Sequence, residues 1–196
     1  MSLITIFIGK MLAYIFALTP IYIILRYFYL KVTKSKISIK REILLGLFSM
    51  YFIGLLSQTI IPVWKYGFFN GKFFLDVFIN NKKSINLIPF HTMYQYIFTF
   101  NKNVDSWNQV SILNLAANAT LFIPFGFFIP ILFKSLKSIK KIIIMGFLTS
   151  CIIEIIQYFI GRSADIDDVI LNVIGVVIGY FIFALLNLKY KHICNI

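Results

Sequence analysis

The chain is short of the residues that a water-facing domain needs. Charged side chains make up 13% of its 196 residues, and only seven are acidic. A soluble domain carries about a quarter charged residues, so this chain has too little polar surface to coat a sphere in water. Two cysteines do not make a disulfide scaffold. Cys151 falls in an apolar run and Cys194 in the tail, and neither has a disulfide partner in an oxidising compartment. Two histidines make no metal set: His91 reads as a structural loop residue and His192 as a solvated tail residue. There is no nucleophile–base pair and no Gly-rich phosphate loop. There is no visible internal repeat either, which argues against an inverted-repeat transporter.

What is abundant is hydrocarbon: 60% of residues are hydrophobic and 18% aromatic. A spanning helix needs roughly 20 apolar residues, and five stretches meet or approach that length. They run from Leu3 to Leu30, Ile43 to Ile61, Val110 to Phe133, Ile142 to Ile160 and Val169 to Leu188. The third carries Pro124 and Pro130 and is expected to kink. The first has a basic residue ahead of its apolar run, as a signal peptide does. It is too long for one, is followed by Arg26 and Lys31, and has no A-x-A cleavage site, so it reads as an uncleaved span. The expected fold is an all-α polytopic membrane bundle of about five transmembrane helices, with residues 1–196 forming one domain.

The net charge is +12. In a soluble chain that would suggest nucleic acid; in a membrane chain it reports topology. Arg26, Lys31, Lys34, Lys36, Lys40 and Arg41 lie in the first connection, Lys134, Lys137, Lys140 and Lys141 in the third, and Lys189 and Lys191 in the tail. These twelve share one side of a five-span chain, against Lys65, Lys72, Lys82, Lys83, Lys102 and Arg162 on the other. The bias predicts an outside amino terminus and a cytoplasmic carboxyl terminus. The connection from Arg162 to Asp168 is net negative and is expected to face outward.

Between Pro62 and Gln109 the chain is too polar to span and too aromatic to float free. Such composition favours the headgroup region, and Asn70-Gly71 and Asn80-Asn81 break it with turn signals. It reads either as interfacial helices or as a re-entrant cover whose tip is Asn86-Leu87-Ile88-Pro89-Phe90. A cover of that kind implies a polar cavity beneath it.

Polar side chains inside hydrocarbon mark bundle interiors and sites. Asn114 and Asn118 share a face of the third span, and Glu154 and Gln157 a face of the fourth. On the fifth, Asp165, Asp168, Asn172, Gly175 and Gly179 form a stripe, polar at one end and small toward the middle. Gly175-x-x-x-Gly179 also reads as a packing seam. By depth, Glu154, Asn172, Asn114 and Asn118 all fall in the outer half of their spans. Glu154, Asp165, Asp167 and Asp168 could ligate Mg²⁺ or Ca²⁺, with Glu154, Asp165 and Asp168 the foremost metal candidates. With Arg162 they could instead supply acid–base groups and an anion clamp. The plainer reading of Arg162 is an ion pair with Glu154 or an Asp, tying two helices together. Asn86, Asn114, Asn118, Gln157 and Asn172 are the candidate binding residues.

These residues resemble the VanZ-like family of bacterial membrane proteins. The matching blocks are Asn86-Leu87-Ile88-Pro89-Phe90, then Asn118-x3-Phe122-Ile123-Pro124-Phe125-Gly126-Phe127. The third is Glu154-x2-Gln157-x4-Arg162-x2-Asp165-x-Asp167-Asp168-x3-Asn172-x2-Gly175-x3-Gly179. They cover about residues 86–179, and the first two spans carry no recognised motif. The resemblance implies a bacterial cytoplasmic-membrane protein of the kind linked to low-level resistance to teicoplanin, a lipoglycopeptide. It brings no reaction and no cofactor beyond an optional divalent cation. The leading expectation is an outer-leaflet cavity that binds an amphiphile, either the lipid-like part of a lipoglycopeptide or a lipid-linked wall precursor. The alternatives are a membrane-embedded, metal-dependent enzyme acting on a lipid phosphate, and a small transporter or assembly partner. Membrane lipids are expected partners and nucleic acid is not.

Overall fold

A computed structural model describes residues 3–34, 37–61, 64–69, 72–77, 84–99 and 107–189. The helices are α1 (Leu3–Thr33), α2 (Ile39–Thr59), α3 (His91–Phe98), α4 (Trp107–Leu132), α5 (Ile139–Phe159) and α6 (Ile166–Lys189). The strands are β1 (Trp64–Phe69), β2 (Lys72–Val77), β3 (Ile85–Asn86) and β4 (Ala164–Asp165). Lys191, His192 and Cys194 lie outside the described residues, as do Asn70-Gly71 and Asn80-Asn81.

All five expected stretches are helical. Among the described residues, Phe7–Thr33, Ser111–Leu132, Ile139–Phe159 and Ile166–Lys189 are long and apolar enough to cross a membrane. The chain is therefore a polytopic all-α membrane protein. The expected span from Ile43 to Ile61 is present as α2, whose 21 residues reach about 30 Å at 1.5 Å per residue. It is the least apolar of the five long helices and does not join the other four as a candidate span. Both α4 prolines sit inside one continuous helix. Pro124 cannot donate to the carbonyl four residues back, and in the same turn the Tyr51 hydroxyl of α2 donates to the Leu121 carbonyl at 2.7 Å.

Over residues 64–77 the chain forms an antiparallel hairpin rather than interfacial helices, registered from Trp64 opposite Val77 to Phe69 opposite Lys72. That register leaves two residues for the connection, the spacing Asn-Gly suits. Further along this aromatic segment α3 is helical over eight residues.

At one end of the bundle lie the start of α1, the end of α2, the starts of α4 and α6 and the end of α5. Hydrogen bonds stitch this end together: Gln58 to the Phe7 carbonyl at 3.0 Å, and Gln157 to the Thr59 carbonyl at 2.9 Å. At the opposite end Arg26 of α1 forks onto Glu42 of α2 at 2.7 and 2.8 Å, and the Tyr180 hydroxyl donates to the Lys137 carbonyl at 3.3 Å. The core is Leu55, Phe122, Phe125, Ile129, Ile142, Ile153 and Val176. Side chains outside it, such as Phe16, Val32, Phe159 and Leu188, are largely exposed, as lipid-facing residues are.

α6 packs most extensively on α4, running parallel to it, and the reason is steric. A Cβ on Gly175 would lie 2.0 Å from the Ala119 carbonyl oxygen, and one on Gly179 2.0 Å from that of Ile123. Reciprocally, a Cβ on Gly126 of α4 would lie 2.0 Å from the Val176 carbonyl oxygen. The two backbones touch, so Gly175-x-x-x-Gly179 is indeed a packing seam. Apolar side chains in lipid lack the drive that water gives association, which leaves close packing to hold helices together. Gly175→Ala and Gly179→Ala are expected to destabilise the protein by roughly 3 kcal/mol, because the obstacle is backbone and cannot rotate away. Gly46→Ala, with open space around it, is expected to be neutral or mildly stabilising. Thermal unfolding of the three variants in one detergent checks the contrast.

Candidate functional site

The acidic connection is built around backbone pairing. β3 pairs in parallel with β4, placing Ile85 opposite Ala164 and Asn86 opposite Asp165. The Asn86-to-Phe90 segment thereby docks on the turn between α5 and α6. Gly161 lets that turn form by taking φ 87°, a left-handed conformation open to glycine.

Asp165 and Asp167 hold this docking. One Asp165 oxygen accepts from Asn86 Nδ2 and from its own chain at Asp167 N, both at 2.9 Å; the other accepts from the Thr92 hydroxyl at 2.5 Å. Asn86 also donates to Thr92 at 3.0 Å and accepts from Ile88 N at 3.1 Å. Asp167 is 0% exposed. Its oxygens accept the N–H groups of Phe90 at 2.5 Å and Met93 at 3.0 Å, at the start of α3. A carboxylate there satisfies amides that have no partner inside the helix and complements the helix dipole. It also holds Phe90 at φ 66°, a conformation rare for a bulky residue.

Glu154 and Asp168 are placed differently. Glu154 is 6% exposed and accepts from Asp165 N at 2.9 Å on one oxygen. Asp168 accepts from Asn118 Nδ2 of α4, also on one oxygen. Each carboxylate keeps a second oxygen without a hydrogen bond among the described residues, and the two are near enough to repel each other. Asn114 of α4 is hydrogen-bonded to the Tyr96 hydroxyl of α3, which lies near Asp168. Burial, then the nearby Asp168, hold that hydroxyl's pKa above its ordinary value, so Tyr96 stays a protonated donor.

The remaining candidates tie the scaffold. Asn172, 4% exposed, donates to the Ser150 hydroxyl of α5 at 2.8 Å. Gln157 and Arg162 both donate to the Thr59 carbonyl, at 2.9 and 2.7 Å, and Arg162 also to Gln58 O at 3.3 Å. The ion pair expected for Arg162 does not form: among the described residues Arg162 makes none, and α2's last carbonyls take its guanidinium instead. No three His, Cys, Asp or Glu side chains among the described residues are grouped to hold a metal ion, and Asp165 has both oxygens engaged.

Beside this cluster lies a cavity of about 460 Å³ between α1, α2 and α4. Its walls are apolar, including Met11, Leu113, Ala117 and Leu121, with Asn114 and Gln58 among the few polar groups in its lining. Sequence reasoning expected a polar cavity among Glu154, Arg162 and Asp168; this one is a greasy neighbour to that cluster, sharing Asn114 with it. Tyr96, Thr92 and Gln58 were not singled out, because nothing in their local spacing distinguishes them from other interfacial polar residues. Each is defined by a partner at least six residues away.

Asp167→Ala is expected to cost roughly 1–3 kcal/mol, since two part-buried amides lose their shared acceptor. Asp168→Asn, whose amide oxygen can still accept from Asn118, is expected to cost less than about 1 kcal/mol. Unfolding in detergent, followed by circular dichroism, separates the two.

Comparison with known proteins bears on the same residues. The sequence model of a family described as VanZ/LLP1 matches residues 42–187, which takes in α2 through nearly all of α6. "Protein VanZ" of Enterococcus faecium is 29% identical over 143 residues, covering 72% of this chain and 74% of that protein. No solved structure matches the chain.

Proposed function

The chain belongs to the VanZ/LLP1 family, and from that premise we propose that it lowers susceptibility to teicoplanin-type lipoglycopeptides by holding an amphiphile at the Glu154–Asp168 end of the bundle. The observation that carries this reading is the division among the acids. Asp165 and Asp167 are consumed by the fold, while Glu154 and Asp168 each keep one oxygen without a hydrogen bond among the described residues. Tyr96 and Asn114 add polar groups at their side, and an apolar cavity adjoins them. A polar cluster against hydrocarbon walls is what an amphiphile needs: hydrogen-bond partners for its head and a dry surface for its tail.

This end of the bundle faces outward in the proposal. The support is the basic bias: the opposite end carries Arg26, Lys31, Lys34, Lys134, Lys137, Lys140 and Lys141, the excess that cytoplasmic loops show. In a background without Cys151 and Cys194, a cysteine at Ser163 is expected to react with an impermeant maleimide on intact cells, and one at Ser138 only after lysis. The reverse pattern overturns the orientation.

Glu154→Gln and Asp168→Asn, expressed at wild-type level, are expected to restore teicoplanin susceptibility to that of cells lacking the protein. Retained protection in both variants refutes the site. A second reading is favoured by the same two unengaged carboxylates: general acid and base toward a lipid phosphate, with the protein as an enzyme. Turnover of polyprenyl phosphate by purified protein, with Mg²⁺ or with chelator, is the result that selects it over binding alone.

A further inference from the structure

Two cations meet at the end of α2, and among the described residues neither forms an ion pair, although Glu154 and Asp168 lie within electrostatic reach of Arg162. Lys10 reaches from α1 to the Ile61 carbonyl at 2.8 Å, and Arg162 reaches from the turn after α5 to the carbonyls of Thr59 and Gln58. They lie close enough to repel each other. Capping accounts for part of this, since the last carbonyls of a helix lack intrahelical donors and favour cations. It does not account for all of it. Thr59 O already accepts from the neutral Gln157 amide, so two like charges are more than the helix end requires. Lys10 keeps two ammonium protons, and Arg162 keeps Nε and Nη2, without a partner among the described residues. Arg26 offers the contrast, with its guanidinium forked onto Glu42.

The apolar cavity adjoins these residues through Gln58. Phe7 and Gln58 are both in its lining. Gln58 donates to the Phe7 carbonyl and accepts from Arg162, and Lys10 stands one helical turn from Phe7 on the same side of α1. From there the cavity follows α4 from Leu113 to Pro124, about 16 Å toward the middle of the bundle. Its volume falls among those of ligand pockets. A cationic collar at the bundle's end, above hydrocarbon walls that run inward, matches a lipid lying as it does in a bilayer. Free guanidinium and ammonium N–H groups suit a phosphate.

We propose that Lys10 and Arg162 bind the phosphate of a membrane lipid whose hydrocarbon chain fills the cavity between α1, α2 and α4. This rests on the amphiphile reading above and names the ligand's class. Lys10 lies outside the residues that the family model matches, so the clamp is argued from the geometry of this chain.

The test uses the full chain in a non-ionic detergent with three probes: lysophosphatidic acid, the monoacylglycerol of the same chain length, and inorganic phosphate. Lysophosphatidic acid is expected to bind at least about tenfold more tightly than the monoacylglycerol, the worth of one charged hydrogen bond. Inorganic phosphate at the same concentrations is expected not to displace it. Lys10→Gln and Arg162→Gln retain an amide donor for α2's carbonyls. Each is expected to lose about tenfold for lysophosphatidic acid, with monoacylglycerol binding unchanged. Ala117→Phe, which fills the cavity, is expected to weaken both amphiphiles.

Equal binding of the two amphiphiles overturns the clamp, as does wild-type affinity in both glutamine variants, which makes the cations caps and nothing more. Inorganic phosphate binding as tightly as the lysolipid overturns the role of the cavity. Where a variant fails to fold, the three-probe comparison on the unaltered protein decides. If no phosphate lipid binds yet Glu154→Gln still restores teicoplanin susceptibility, the clamp falls alone. If the lysolipid binds as expected and neither carboxylate variant changes susceptibility, the resistance reading falls and the clamp stands.

Discussion

A backbone amide or carbonyl taken out of water must find its partner inside the protein, and a membrane allows no exceptions. Long helices meet this rule along their length but not at their ends. At one end of this bundle the loose ends of α2, α3 and the β3 segment converge within reach of a few side chains. Asp167 takes the first amides of α3, Asp165 takes Asn86, Thr92 and an amide of its own turn, Arg162 and Gln157 take the last carbonyl of α2, and Lys10 takes that of Ile61 just beyond it. The site is first of all the place where helix ends are satisfied. Whatever it binds, it binds with what that duty leaves over.

The duty can be carried by so few residues because the long helices are held rigidly beneath them. α4 and α6 meet backbone to backbone through Gly126, Gly175 and Gly179. Val176, fully buried, also presses its side chain toward Gly146 of α5. Three helices are thereby locked around one residue, and the polar pairs above it inherit their spacing from that contact. Asn118 meets Asp168, and Asn172 meets Ser150, because α4, α6 and α5 cannot slide. Packing at depth sets the geometry of chemistry nearer the surface.

Much of this was legible in the sequence. Apolar run length gave every long helix, the three-four spacing found the face of α6, and the Gly-x-x-x-Gly seam was read as packing. Depth along the helices set Glu154, Asn172, Asn114 and Asn118 at one level, whereas Asn86 was placed only as part of the tip of a re-entrant cover. What was not legible was the direction of each hydrogen bond. Arg162 was expected to seek a carboxylate, and it caps a helix instead, because backbone carbonyls carry no signature in sequence. The hairpin was missed for a related reason. Aromatic composition indicates headgroup depth equally well for a helix and a strand, and only the Asn-Gly dipeptide spoke for the turn.

The two arginines tied to α2 carry the argument one step further. Arg26, at its start, forks Nε and Nη2 onto the two oxygens of Glu42. Arg162, at its end, lies near enough to Glu154 and Asp168 to feel their charge and pairs with neither. Arg162 is exposed, and its guanidinium is held by carbonyls rather than by a carboxylate. The guanidinium is anchored by α2's last carbonyls, Glu154 by Asp165 N and Asp168 by Asn118 from within α4. The scaffold thus keeps opposite charges apart at a distance too short to ignore. That separation leaves groups of both signs at the end of the bundle where the proposed amphiphile's head would lie, and a chain with only seven acids sets two of them there.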